Sequence, residues 1–294
     1  MSRGFTLDIA DLAIGVTSDD DLPVAIEGSA RKFVAEAAPP PAARLHVRWG
    51  DPAVPADGAV AFDSGKGLWR LYRTPRGATF VFTSPMLGAQ PYQMAELDAD
   101  YARGTVTLRR EVFAERLPVY PLHYPLDEVF MVHLLSRGLG IELHGSGVVT
   151  ADGRGYLFVG QSGAGKTTLS RLWLQEPGVT VLSDERIILR RREGEGAGLW
   201  MYGTPWHGDG HIATPGRVPL ARVFFLKHGA RNALTPLART EAAARLFACG
   251  FTPFHDAEGL TFSLGLLGDV AAAVPCDELS FVPDRSAVAF VSDC

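Results

Sequence analysis

The segment from Gly160 to Thr167 constrains this chain more than any other part of its sequence. It reads Gly-Gln-Ser-Gly-Ala-Gly-Lys-Thr, which fits the pattern of a glycine, four residues, and then Gly-Lys-Ser/Thr. The apolar run Tyr156 to Val159 before it predicts a strand, and Lys166 to Glu176 predicts a helix. A strand, a glycine-rich turn and a helix in this order are typical of a phosphate-binding P-loop.

The residue types in this segment suit a triphosphate. Glycines let successive backbone N–H groups turn inward on phosphate oxygens, and the positive end of the following helix lies behind them. Lys166 is expected to reach the β and γ phosphates, and the Thr167 hydroxyl to bind magnesium. We therefore expect ATP and Mg²⁺ as cofactors, with a ligand-free glycine-rich turn as the alternative. The residues expected to contact the nucleotide are Gly160, Gln161, Ser162, Gly163, Ala164, Gly165, Lys166, Thr167 and Thr168.

An acidic pair follows the predicted helix after a short return. Val179 to Ser183 predicts a strand that ends at Asp184 and Glu185. A helix over 168–176 carries the chain about 14 Å away, and a five-residue strand returns it about 16 Å, so both carboxylates should lie level with the phosphate site. One carboxylate can take a proton from an attacking hydroxyl, while the other holds magnesium or its water. The alternative is that Asp184 caps a turn and Glu185 is solvated.

A histidine lies before the P-loop in the sequence, and a predicted hairpin could bring it next to the loop. Ala151 to Gly155 predicts a tight turn between the strands Ile141 to Val149 and Tyr156 to Gly160. A hairpin centred near Gly153 pairs residues whose numbers sum to about 306, which places His144 opposite Ser162. An imidazole there could contact the γ phosphate or modulate the base. A histidine that is hydrogen bonded locally at a strand end is the alternative.

The patterning predicts two domains. Residues 1–120 are expected to form an antiparallel, β-rich domain, with strands at Leu45 to Trp49 and Gly104 to Arg109 and a hairpin of Leu68 to Thr74 with Ala78 to Thr83. From residue 121 the pattern of apolar residues predicts an α/β domain. Its first element is a helix that begins at Leu126 and ends at Gly138. The remaining elements predicted for 121–294 are strands at Val223 to Leu226 and Ala287 to Val291, and a helix at Glu241 to Cys249 with Thr240 as its N-cap.

Composition excludes several classes of function. With 294 residues, 47% hydrophobic and 21% charged, the chain can bury one large core or two modest ones. A net charge of −5 gives no basic field to hold nucleic acid. We see no signal peptide or membrane segment, so a cytoplasmic protein is expected. Cys249, Cys276 and Cys294 include no Cys-x-x-Cys pair, which argues against a disulfide framework or structural zinc.

Three segments together carry a resemblance to a known family. Leu143-His144-Gly145, the stretch from Phe158 to Lys166, and Val181 to Glu185 resemble the C-terminal domain of HPr kinase/phosphorylase in order and spacing. That family shares a compact P-loop fold with ATP-dependent phosphoenolpyruvate carboxykinase. It phosphorylates a serine of a small carrier protein with a histidine-glycine pair, the P-loop and an Asp-Asp pair. The resemblance implies that Asp184 is the catalytic base, that Glu185 is the second acidic residue, and that His144 and Lys166 assist.

The sequence also departs from that family. Thr167-Thr168 stands where HPr kinases usually have Ser-Glu, Glu185 replaces an aspartate, and the family's Glu-x-Arg-Gly-x-Gly signature is missing. In its place, Tyr202 to His211 looks like the Thr-Pro-Trp-x-Gly segment of HPr-kinase-related proteins, some of which act in the maturation of ribosomally made peptides. Here Trp206 is expected to offer a stacking or packing surface in a mobile, glycine-flanked loop. The His-x-Asp-x-His spacing at 207, 209 and 211 leaves a metal site as an alternative.

These expectations combine into a cytoplasmic, magnesium-dependent kinase. We expect it to transfer the γ phosphate of ATP to a serine or threonine hydroxyl of a protein or peptide, without nucleic acid or a membrane as a partner. A small-molecule kinase or an ATPase is the first alternative, and an ATP-binding regulatory or scaffold protein is the second. The sequence leaves open the acceptor, a preference for GTP or pyrophosphate, a homo-oligomeric state and the role of the N-terminal domain.

Overall fold

The structure is a computed structural model that describes residues 3–35, 40–65 and 68–293. These residues form a mixed α/β protein with two large sheets. Contacts within the chain divide it into two compact units, Met1–Leu134 and Leu135–Cys294. Cys294 itself lies outside the described residues. None of the described helices is long and apolar enough to cross a membrane.

Within its described residues, the first unit is built on an eight-stranded sheet in the order β1-β2-β3-β8-β7-β6-β5-β4. The bounds are β1 (Gly4–Ile9), β2 (Leu12–Ser18), β3 (Ala43–Trp49), β4 (Ala59–Asp63), β5 (Trp69–Thr74), β6 (Gly77–Phe82), β7 (Gln93–Leu97), β8 (Arg103–Leu108), α1 (Arg110–Phe113) and α2 (Leu126–Leu135). Short 3₁₀ helices cover Gly28–Phe33, Pro85–Leu87 and Ala114–Arg116. The predicted strands at β3 and β8 and the β5–β6 hairpin are confirmed.

The prediction of a purely antiparallel sheet is wrong. Strand β3 pairs in parallel with β2 on one side and with β8 on the other. Parallel neighbours need a connection that returns the chain to the same end of the sheet. The segment between β2 and β3, which contains the Gly28–Phe33 helix, makes such a return.

The boundary between the two units lies between Leu134 and Leu135, which is later in the chain than the predicted boundary at residue 120. Three contacts hold residues 119–133 in the first unit. Val119 forms a β-bridge with Val24, and Gln93 Nε2 donates a hydrogen bond of 2.7 Å to the Pro121 carbonyl. The His133 ring lies edge-on to Phe80 at 5.0 Å. The first unit therefore extends beyond the proline cluster at which the sequence pattern changes.

Among its described residues, the second unit forms a nine-stranded sheet in the order β10-β9-β12-β13-β14-β17-β15, with β11 and β16 also paired to β9. Its bounds are β9 (Ile141–Val149), β10 (Gly155–Val159), α3 (Lys166–Trp173), β11 (Thr180–Ser183), β12 (Arg186–Arg192), β13 (Gly198–Tyr202), β14 (Arg217–His228), β15 (Ala233–Pro236), α4 (Arg239–Ala248), β16 (Gly250–Phe251), α5 (Ala257–Ala273), β17 (Cys276–Phe281) and α6 (Arg285–Ser292). Because β10 also pairs in parallel with β14, the strands β10, β9, β12, β13 and β14 close a ring.

Two apolar clusters cover the faces of this sheet. One contains Trp173 of α3 and Val288 of α6 packed with Tyr156 and Phe158 of β10. The other contains Leu246 of α4 and Leu267 of α5 packed with strand residues that include Leu157. Alternate residues of β10 thus enter different cores, and the strand that leads into the P-loop is buried on both faces.

Three local predictions for this unit are wrong. Residues 287–291 form part of helix α6, because Asp284 caps its first turn by accepting from the Ser286 amide at 2.8 Å and Ala287, Val288 and Val291 are buried at helical spacing. Helix α4 begins at Arg239 after Ala238, so Thr240 lies inside it and is not its N-cap. The hairpin of β9 and β10 pairs Val159 with Gly145, which brings His144 level with Gly160 instead of Ser162.

Candidate active site

The P-loop connects the buried end of β10 to the first turn of α3. Gly163 and Gly165 have φ angles of +81° and +97°, which side chains other than glycine rarely adopt. A Cβ on Gly165 would also lie 2.7 Å from Cζ of Phe281. His228 Nε2 donates to the Gly163 carbonyl at 2.9 Å and holds the loop from outside. The loop is therefore fixed both by its backbone conformation and by its neighbours.

The geometry of Lys166 and α3 fits a phosphate ligand. Gly165, the residue before α3, provides no side-chain cap, so no side chain occupies the amide groups of the first turn from that position. Lys166 is buried, and its Nζ donates to the carbonyls of Gly160 and Gln161 at 2.8 and 3.1 Å. Burial lowers the pKa of Lys166, whereas the nearby Glu185 carboxylate raises it. The ammonium group is thus held inside the loop at the edge of an open cavity.

A cavity of about 380 Å³ opens beside this loop. Its walls combine P-loop residues with residues of β9, the acidic pair and a later loop, namely His144, Ser162, Gly163, Gly165, Lys166, Thr167, Thr168, Glu185, Gly208 and Asp209. A volume of this size lies within the range of ligand cavities, about 300–1,000 Å³. The predicted Gly160, Gln161 and Ala164 belong to the loop but do not line the cavity.

Asp184 lies under the loop formed by residues 208–210 and is fully buried. Its two carboxylate oxygens accept hydrogen bonds from the backbone amides of Gly208 and Gly210, at 3.1 and 2.7 Å. A Cβ on Gly210 would lie 2.3 Å from Asp184 Oδ2 and 3.1 Å from Thr167 Cγ2, so Asp184 and Thr167 border the same point of this loop. The prediction that Asp184 returns to the level of the P-loop agrees with this position, but Asp184 is buried and each of its oxygens already accepts one amide hydrogen bond.

Glu185 lies open to the cavity where Asp184 does not. Its side chain is 29% exposed, and Glu185 and Thr167 both line the cavity. Carboxylate and hydroxyl oxygens are ligands that Mg²⁺ accepts, usually together with phosphate oxygens and water. These residues therefore fit a magnesium ion that is bound with a nucleotide.

Arg186 connects the acidic pair to His144. Its Nη1 donates to Glu185 Oε1 at 2.8 Å and to His144 Nδ1 at 3.0 Å. Its Nε lies 3.4 Å from Oε1 of Glu142, which is fully buried, and its guanidinium lies 4.4 Å from the centre of the Phe251 ring. These contacts on several sides fix the orientation of Arg186 and hence of the two side chains that it contacts.

Two neighbours of His144 Nδ1 act on its tautomer in opposite directions. Arg186 Nη1, at 3.0 Å, can only donate and so favours the proton on Nε2, whereas Glu185 Oε1, at 3.3 Å, favours a proton on Nδ1. Burial lowers the pKa of His144, and Lys166 and Arg186 lower it further, although Glu185 raises it. The neutral ring is therefore favoured, and it lies in the wall of the cavity.

The segment around Trp206 supports the acidic turn from behind. Thr204 Oγ1 donates to the Arg186 carbonyl at 2.7 Å, and Ser183 Oγ donates to the Trp206 carbonyl at 3.1 Å. The amides of Gly208 and Gly210 then close over Asp184. The predicted loop is thus bonded to the acidic turn. No group of three or more His, Cys, Asp or Glu side chains within residues 3–35, 40–65 and 68–293 is placed to hold a metal ion.

Sequence reasoning missed three participants in this site. Arg186 directly follows the acidic pair, and that adjacency was the only signal for it. Glu142 lies two residues before His144, so both side chains emerge on one face of β9. The Cys249 carbonyl accepts a hydrogen bond from the His144 amide at 2.8 Å. Burial raises the pKa of the Cys249 thiol, and the nearby Lys166 ammonium opposes that rise.

Comparison with known proteins adds no further assignment. Neither the protein-family models nor the curated proteins that were searched include a match to this chain.

Proposed function

We propose that residues 135–294 form a magnesium-dependent phosphotransferase that moves the γ phosphate of ATP to a serine or threonine hydroxyl of a protein or peptide. One observation carries the proposal: P-loop residues, Glu185 and His144 line a single cavity, and Asp184 accepts a hydrogen bond from Gly208, a residue of the cavity wall. The resemblance of these same segments to HPr kinase supports it. HPr itself is not the acceptor we propose, because the Glu-x-Arg-Gly-x-Gly signature of that family is missing.

When bound, Mg·ATP would supply the phosphoryl group and a cation that neutralises charge on it. Lys166 would exchange its contacts with the Gly160 and Gln161 carbonyls for phosphate oxygens, and Thr167 and Glu185 would hold the metal. In the tautomer that Arg186 favours, His144 would donate its Nε2–H to the phosphate being transferred. The resemblance to HPr kinase supports the assignment of Asp184 as the base.

The structure attaches a condition to that last role. Asp184 is fully buried beneath the Gly208 and Gly210 amides, so an acceptor hydroxyl can reach its carboxylate only if this loop moves. We therefore include in the proposal an outward movement of residues 208–210 when the acceptor binds. An extended peptide that replaces these amides would bring its own hydroxyl to Asp184.

The covered position of Asp184 favours a second candidate function. If residues 208–210 stay closed, the unit would bind ATP without transferring phosphate and would act as a nucleotide-dependent regulatory protein. Turnover separates the two functions, since binding alone leaves ATP intact.

The first test measures nucleotide binding. Mg·ATP at about 100 times its Kd should add about 2.7 kcal/mol of stability. That gain corresponds to about 5–11 °C in the melting temperature of a unit of this size. Lys166→Ala should lose most of this shift, while Lys227→Ala, which removes an exposed lysine 3.2 Å from Glu278, should keep it. Equal shifts in wild type and Lys166→Ala would remove the basis of the proposal.

The second test measures transfer. The protein is incubated with labelled ATP and magnesium, with peptides and a metabolite panel offered in parallel, and phosphate is mapped by mass spectrometry. Asp184→Asn should keep Mg·ATP binding and lose transfer, Glu185→Gln should change the magnesium requirement, and His144→Ala should lose part of the rate. Asp269→Asn, a surface change at an ion pair with Arg191, is the matched control.

Each result of the transfer assay identifies one of the candidate functions. Label on a metabolite alone would exclude the peptide acceptor and keep the kinase, and release as free phosphate under every condition would indicate an ATPase. Binding without any turnover would favour the regulatory protein.

A further inference from the structure

The first unit contains a cavity of about 310 Å³ that the proposed phosphotransferase does not use. It lies between the Pro85–Leu87 turn, the α1 region and the segment around residue 120. Its walls are formed by Glu27, Ser84, Leu87, Tyr92, Val112, Phe113, Arg116, Val119, Tyr120 and His123. All of these residues belong to one compact unit. The volume is at the small end of the range for ligand sites, which suits a single small molecule.

Three aromatic rings in the wall of this cavity pack against one another. Tyr92 and His123 stack at 5.9 Å with an interplanar angle of 25°, Phe113 lies 5.5 Å from His123, and Tyr92 lies 6.2 Å from Phe113. Tyr92 and Phe113 are 9% and 6% exposed, so the rings are held firmly by the unit. Burial lowers the pKa of His123, so a neutral ring is favoured. Packed rings of this kind form a rigid surface for another aromatic group.

The same cavity carries two opposite charges that are not paired. Glu27 precedes the Gly28–Phe33 helix without capping it, and Arg116 ends the Ala114–Arg116 helix. Within the described ranges 3–35, 40–65 and 68–293, neither side chain has an ion-pair or hydrogen-bond partner. Burial raises the pKa of Tyr120 and lowers the pKa of His123. The Glu27 carboxylate is close enough to act on both groups: it adds to the rise at Tyr120 and opposes the fall at His123. Glu27, Tyr120 and His123 line the same cavity.

We propose that this cavity binds an α-amino acid with an aromatic side chain. The ring would pack against Tyr92, Phe113 and His123, the ammonium would pair with Glu27, and the carboxylate would pair with Arg116. Glu27 and Arg116 carry opposite charges, line one cavity and do not pair with each other, which matches a ligand that carries both charges on one carbon. An ammonium beside these rings also gains attraction from their faces.

Competing ligands fit the same walls less well. A nucleotide needs several cationic or amide donors for its phosphates, whereas the cavity has one arginine and a carboxylate that would repel the phosphates. A simple aromatic amine would leave Arg116 without a partner, and an aromatic acid would leave Glu27 without one. The proposal is independent of the phosphotransferase, because its test needs no nucleotide.

Calorimetric titration of the full chain tests the ligand class. The probes are L-phenylalanine, L-alanine, phenethylamine and 3-phenylpropionate. We expect saturable binding of L-phenylalanine and weaker binding of each other probe by about tenfold or more, since each lacks one contact to a charged group or the ring. No saturable binding of L-phenylalanine up to millimolar concentration would overturn the proposal, as would equal binding of phenethylamine.

Two surface variants assign the charged contacts. Arg116→Gln should weaken L-phenylalanine about tenfold and leave phenethylamine unchanged, because that probe has no carboxylate. Glu27→Gln should weaken L-phenylalanine and leave 3-phenylpropionate unchanged. Arg44→Gln and Glu111→Gln remove exposed charges of the same unit outside the cavity and should change nothing. Retention of full L-phenylalanine affinity by both cavity variants would overturn the assignment, even if the amino acid bound elsewhere.

Discussion

Replacing Gly210 with alanine should destabilise the closed position of the loop that covers Asp184. The new Cβ would lie 2.3 Å from Asp184 Oδ2 and 2.9 Å from its Cγ. Asp184 cannot withdraw without losing the amides of Gly208 and Gly210, because it is fully buried and bonded to both. The substitution therefore forces either the loop or the carboxylate to move.

The cost follows from the cheaper of the two responses. Lifting the loop away loses two hydrogen bonds to a charged group, each worth about 1.5–3 kcal/mol. Shifting the neighbours to admit one methyl group costs about 1–3 kcal/mol. The lower entropy of the unfolded chain with alanine returns about 0.4–1 kcal/mol. We expect a net loss of about 1–2 kcal/mol, or about 2–8 °C in melting temperature.

Thermal unfolding and amide hydrogen exchange check this prediction together. Exchange of the Gly208 and residue-210 amides should accelerate in Gly210→Ala, since both donate to Asp184 in the wild type. Gly265→Ala is the matched control, because its Cβ would meet nothing within 4 Å in the middle of α5, and it should be neutral or stabilising. Equal melting temperatures of the two variants with unchanged exchange would show that Asp184 does not hold this loop.

Two further predictions concern charged groups of the second unit. Arg186→Gln should lower the free energy of unfolding by about 3–5 kcal/mol, because it leaves Glu142 buried beside a neutral group, and adding Glu142→Gln should restore part of that loss. A double variant no more stable in urea than Arg186→Gln would refute the pairing. For Glu278, the hydrogen bond from Arg245 lowers the pKa in the folded state below 4.5. The stability that the ionised Glu278 contributes is therefore fully present above pH 4.5 and is lost as the pH falls through the folded-state pKa. Glu278→Gln should therefore flatten the acid dependence of stability, which urea midpoints between pH 3 and pH 6 would show.

Local patterns predicted the elements that position the P-loop. The strand Ile141–Val149 has its predicted bounds, and α3 begins at Lys166 as the motif requires. Both depend on signals that lie within a few residues, such as apolar runs and glycines. The same reasoning missed α5, since Gly259, Gly265 and Gly268 weaken its helical pattern.

Three properties of the site were not predicted: the register of a hairpin, contacts between side chains of different strands, and hydrogen bonds from backbone amides. The register of the β9–β10 hairpin differs by two from the expected sum because Thr150 closes the turn on Arg154, which centres it at residue 152. The role of Arg186 needs Glu142 and Phe251 to arrive from other strands. The covering of Asp184 depends on backbone amides, which carry no side-chain signal in the sequence.

The closed ring of strands in the second unit also sets an order in which this unit can fold. Its closure joins β10 to β14 in parallel, and β9 additionally pairs with β16 near residue 250. Contacts between segments so far apart in sequence form slowly, because long loops must close before they gain any stabilisation. During synthesis the P-loop leaves the ribosome well before β14, and its supporting strand then has only its hairpin partner. The phosphate cradle therefore gains its last support, the packing of Phe281 against Gly165, only after residue 281 has been made.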